Sequence, residues 1–210
     1  MGELFVNNLS KIIHTSHNSL GGSCCAKGCH IMMEDQSHKK VEDVRKGDKV
    51  ITFTKDHEIS VGEIECVVKT HCDYNIERMV TLGKLKITPY HPILIQGTKK
   101  WIFPHDIEES SLTFCSTIYT FILKNRESVI IEGYIFSTLG HGMEGNVIQH
   151  DFFGTEKVIN DLKKWSTYDK GYVFLMKDMI VRDRKTKHVT NIMKRIDYGN
   201  YVINKHMANI

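Results

Sequence analysis

No apolar run in this chain of 210 residues comes near the ~20 residues that a membrane-spanning helix requires. The opening MGELFVNNLS lacks the basic-then-apolar layout of a secretory leader. Val6 stands where a myristoylation motif needs Ser or Thr. No membrane partner is therefore expected, and a cytoplasmic setting is the default expectation. Aromatic and basic residues are not interleaved, and the net charge is only +3, which argues against a nucleic-acid partner. Internal repeats and low-complexity tracts are also lacking, which excludes a solenoid or a disordered chain. A monomer without cofactor is the expectation that remains.

The composition is that of an ordinary globular protein, with 41% hydrophobic and 25% charged residues. The charge is uneven. Residues 1–23 sum to zero, residues 24–141 hold 15 basic and 16 acidic side chains, and residues 142–210 hold 12 basic and 8 acidic. A mildly basic tail of that kind usually marks a solvated face.

Three segments are expected. Residues 1–23 read as a short helix, LFVNNLSKIIH, and a linker ending in the flexible Gly21–Gly22 pair. Residues 24–141 carry many short apolar runs broken by turn signals, an all-β pattern. The strand candidates are CHIMM, KVITFT, EIECVVKT, MVTLGKLKIT, PILIQG, LTFCSTIYTFIL and SVIIEGYIFSTL. Residues 142–210 form a small α+β extension. There FFGTEKVINDLKKW spaces Val158, Leu162 and Trp165 as a helix, with Thr155 as N-cap and Lys163 and Lys164 in its last turn. GYVFLMKDMIVRD and HVTNIMKRI, joined by RKTK, predict a β-hairpin.

Two stretches carry chemistry. CCAKGC packs Cys24, Cys25 and Cys29 into six residues, directly after LGGS. A zinc knuckle, a disulfide staple and a nucleophile all use such thiols. Adjacent cysteines on a strand point to opposite faces, and no second CxxC or HxxxH completes a zinc site, so no metal is expected. Without a secretory leader, free thiols are the default, and Cys66 and Cys115 read as packing groups. The second stretch is KITPYHPILI. Pro89 and Pro92 flank His91 and forbid a helix, which holds the imidazole on extended backbone three residues after Thr88. A distant Cys and His make a nucleophile–base pair only if the fold joins them, so spacing alone leaves catalysis and structure both open. A metal-dependent nuclease on His141, His150 and Asn146 lacks an acidic ligand pair.

Taken in order, these blocks resemble the Hint domain, the autoprocessing fold shared by Hedgehog C-terminal domains and inteins. CCAKGCHIMMEDQSHKKVEDVRKGDKVIT resembles its opening block, LKITPYHPI its TxxH block, and IYTFILKNRESVIIEGYIFSTL its late strand pair. The continuation TLGHGMEGNVIQHDFFGTEKVINDL resembles the Vint group, Hint domains found downstream of von Willebrand factor A modules. The resemblance implies a Hint-type fold and a cysteine-dependent self-cleavage. Cys24 is then the nucleophile that attacks the Ser23 carbonyl, turning the Ser23–Cys24 bond into a thioester, with Thr88 and His91 activating that amide. The substrate is the chain's own upstream flank, and water or another nucleophile receives it. His71 or Cys72 falls where Hedgehog domains activate their sterol with an Asp, and His141 is a further auxiliary candidate. Ser137–Thr138 stands where inteins carry His-Asn. A Hint fold kept as a structural or protein-binding module is the alternative.

Overall fold

The structure, a computed structural model, describes residues 24–95 and 97–194. The helix expected within residues 1–23, and Ser23 itself, lie outside the described residues. Alternating apolar runs become sixteen strands among them. β1 (Cys25–Ala26), β2 (His30–Met32), β3 (His38–Lys40), β4 (Lys49–Phe53) and β5 (Ile59–His71) come first. β6 (Ile76–Leu82), β7 (Leu85–Ile87), β8 (Ile93–Ile95) and β9 (Trp101–Ile102) follow. β10 (Ser111–Phe114), β11 (Thr117–Leu123), β12 (Ser128–Ile131) and β13 (Tyr134–Phe136) complete the all-β body. The helix α1 (Glu156–Leu162) then leads to β14 (Tyr172–Met176), β15 (Ile180–Arg182) and β16 (Val189–Ile192). None of the described helices is long and apolar enough to cross a membrane.

The long β5 organises the sheet. Its first half pairs with β4 and its second half with β11, across a bulge at Ile122/Leu123. Gly62 sits at that handover because a Cβ there would come within 2.6 Å of Thr52 Cγ2 and 2.7 Å of Leu123 Cδ2. β1 is inserted between β7 and β11. That placement sets the start of the described chain in the middle of the sheet.

Strand alternation sends successive side chains to opposite faces. Tyr119, Phe121 and Leu123 of β11 enter the main core with Cys25, Ile31 and Phe136. Ile122 joins a second core with Cys66 and Val68 of β5, Val158 and Leu162 of α1, and Val173 and Val189. Residues after 141 therefore share a core with β5 and β11. The Thr155 N-cap forms as expected, its hydroxyl accepting from Lys157 N–H at 3.4 Å.

Two local expectations need correction. The helix ends at Leu162, so Lys163 is its C-cap and Lys164 lies beyond it. Lys164 instead pairs with Asp161 at 2.6 Å, and Asp161 also accepts from Ile192 N–H at 2.9 Å. The predicted hairpin is divided as well. β14 adds to β5 in parallel, and only β15 pairs with β16. Burial decides this outcome: Val173 and Leu175 are apolar enough to join the second core beside β5.

Candidate active site

Sixty-four residues separate Cys24 from Thr88, and the sheet places them in contact. Thr88 follows β7, which pairs with β1, so the two residues meet as the ladder continues. The Cys24 backbone N–H donates to Thr88 Oγ1 at 3.1 Å. The Thr88 hydroxyl in turn donates to the Cys24 carbonyl at 3.2 Å. Thr88 N–H donates to that same carbonyl at 3.0 Å. One threonine thus holds both polar groups of Cys24 in a dry site, since Cys24 and Thr88 are each 3% exposed.

His91 belongs to the same turn, closed by its N–H donating to Thr88 O at 3.2 Å. Its ring stacks on Phe136 with centroids 3.6 Å apart. Nε2 lies 3.0 Å from the Ser137 carbonyl and 3.0 Å from Ser137 Oγ. A carbonyl oxygen only accepts, so Nε2 carries a proton and donates it to Ser137. Ser137 was visible in the sequence only as a departure at the His-Asn position. In the fold it orients the imidazole.

Cys24 and Cys25 fall into different cores, as strand alternation requires. Cys25 packs in the main core and its thiol donates to Tyr119 O at 3.6 Å. Cys29 joins that core and donates to Lys86 O at 3.7 Å. Cys24 instead shares a small cluster with Ala26, Cys72, Met79, Cys115 and Ile118. Cys72 hydrogen-bonds Cys115, which draws the Cys115 thiol below its ordinary value while Cys72 is pushed up. The carboxylate of Glu77, paired with Lys177 at 2.7 Å, acts on all three thiols of the cluster. Placing Cys115 beside Cys24 takes the β10–β11 break at Cys115–Ser116, where the apolar run LTFCSTIYTFIL predicts one continuous strand.

Burial, then Glu77 and Cys115, pushes the Cys24 thiol well above its ordinary value. A free cysteine holds some thiolate near neutrality, but burial keeps this one a thiol. His71 ends β5 on the exposed side, one residue from the buried Cys72. His141 is buried elsewhere, lining a small cavity with Ser137 and Thr138. All six cysteines are free thiols in the structure. Among the described residues no three His, Cys, Asp or Glu side chains are grouped to hold a metal ion.

A family model described as Vint, a Hint-domain, matches residues 23–191. No curated protein matches the chain. Among solved structures, a bacterial intein-like domain from Clostridium thermocellum is 13% identical with a TM-score of 0.46, over 56% of this chain and 99% of that one. A DnaB intein from Synechocystis is 10% identical with a TM-score of 0.39, over 56% of this chain and 100% of that one.

Proposed function

The chain belongs to the Vint family of Hint domains, and from that premise we propose that it cleaves itself at Ser23–Cys24 by an N–S acyl shift. The observation that carries this reading is the double grip of Thr88 on the backbone N–H and carbonyl of Cys24. The grip falls on the nitrogen of the Ser23–Cys24 bond itself, the bond that the proposed shift breaks.

The shift is uphill because it gives up amide resonance, the origin of a rotation barrier of ~18–20 kcal/mol. Attack needs a proton taken from sulfur and a proton delivered to nitrogen. In this mechanism His91 reacts as the neutral ring through Nδ1 and does both in turn. It takes the Cys24 thiol proton as sulfur bonds to the Ser23 carbonyl carbon. It then returns that proton to the Cys24 nitrogen as the C–N bond breaks. Thr88 keeps the existing N–H fixed, which leaves the nitrogen lone pair on a defined side as the centre becomes tetrahedral. Ser137–Thr138 supplies no asparagine to cyclise, so the reading is cleavage rather than splicing.

Incubating the folded chain with a small thiol tests this directly. Release of Met1–Ser23 as a thioester, leaving Cys24–Ile210, is the expected result by intact mass. An unchanged mass in a folded sample would refute it and favour a Hint fold kept as a structural or binding module.

A further inference from the structure

The acyl-shift reading leaves open what takes the acyl group, and a cavity lined by Thr120 of β11, the strand beside β1, bears on that choice. β1 pairs with β11 so that Cys25 faces Tyr119 and Ala26 faces Ile118. One step back in this register sets Cys24 across from Thr120. Residues directly opposite in an antiparallel pair project to the same face, so Thr120 shares the face of the nucleophile. It is 3% exposed, and among the described residues its hydroxyl has no hydrogen-bond partner. Buried hydroxyls are normally satisfied by protein or by ordered water.

Thr120 lines a cavity of about 30 Å3 with Ser137, Thr138, His141, Gln149 and His150. Tyr90 and Pro92, the neighbours of His91, border it as well. Its two histidine rings present donors to it. His141 Nδ1 accepts from Met143 N–H at 2.9 Å, and His150 Nδ1 accepts from Phe152 and Phe153 N–H at 3.1 and 3.0 Å. Each ring therefore carries its proton on Nε2. Such a lining suits a small oxygen ligand, and the volume has room for about one water. A sterol or a peptide side chain is too large.

We propose that this cavity seats the water that resolves the Ser23–Cys24 thioester, held beside the sulfur by Thr120, so that the upstream segment leaves as a free acid. This rests on the acyl-shift reading. The water oxygen bonds to the acyl carbon and the C–S bond breaks. The water's proton passes through His91 to the departing Cys24 sulfur.

The test is a partition. The chain is incubated with a fixed concentration of small thiol, and released Met1–Ser23 is quantified by mass as free acid against thioester. Thr120→Val keeps the shape and removes the hydroxyl, and should cut the acid-to-thioester ratio about tenfold, the value of one hydrogen bond. Thr120→Ser should restore it. If Thr120→Val does not fold, Gly154→Ala replaces it: its Cβ would stand 3.0 Å from the His150 carbonyl and 3.2 Å from His141 Cε1 and Nε2, which shifts the cavity wall at both histidines, again lowering the ratio. An unchanged ratio overturns the water seat while the acyl shift stands. Wild-type chain that releases neither product overturns the acyl shift, and the water seat with it.

Discussion

Thr88→Val is the sharpest probe of the site. Valine keeps the β-branched shape, so the strand and its packing should persist, and the Thr88 N–H bond to the Cys24 carbonyl at 3.0 Å is untouched. Two things are lost. The Cys24 N–H at 3.1 Å loses its acceptor, and the carbonyl loses one of its two donors. The carbonyl remains satisfied, so its loss costs little. The N–H becomes a buried donor without this partner, a cost of about 1–3 kcal/mol. If the grip acts only on the folded ground state, that cost appears in stability and the cleavage rate stays near wild type. If Thr88 positions the nitrogen in the transition state, roughly 1.4–2.7 kcal/mol appears in the barrier, or about 10- to 100-fold in rate. The second outcome is expected. Thiol-induced release of residues 1–23 gives the rate, urea unfolding gives the stability, and Thr88→Ser should recover both. A Thr88→Val chain cleaving within twofold of wild type would refute the role given to Thr88.

Other consequences follow from the same geometry. Cys24→Ala should abolish cleavage while Cys25→Ala retains it, because Cys25 faces the main core on the other side of β1; the reverse result would move the scissile bond to Cys24–Cys25. His91→Ala should slow thiol-induced cleavage by ~10²–10⁴-fold, the usual loss for a general acid–base group. Ser137→Ala should cost only a few-fold, since the backbone carbonyl at 3.0 Å still orients the ring; a defect as large as that of His91→Ala would contradict this. Burial lowers His141 to about 4 from 6.5. The unfolded chain therefore binds the extra proton first, and stability is lost as pH falls from 6.5 towards 4, at a slope approaching ~1.4 kcal/mol per pH unit for this group. Urea midpoints for His141→Gln should show a flatter acid limb than wild type; an equal slope would remove His141 from the account.

The strand pattern, the helix N-cap at Thr155 and the separation of Cys24 from Cys25 were legible in the sequence, because each is a local property. Period-two alternation states which face a side chain takes, and the prolines around His91 state that its backbone is extended. The three ordered blocks also carried the family resemblance. Alternation is silent about which strand lies alongside. It could not say that β14 would leave its hairpin for a parallel place beside β5, a choice made by burial against a core built from distant residues. Nor could it raise the Cys24 thiol, since that shift comes first from burial and then from Glu77 and Cys115. Thr88 on the Cys24 amide and Ser137 on His91 are contacts between residues far apart in the chain, and Thr120 comes beside β1 only through the pairing of β11. Only the folded sheet creates them, because a hydrogen bond between residues dozens of positions apart has no signature until the backbone between them is folded.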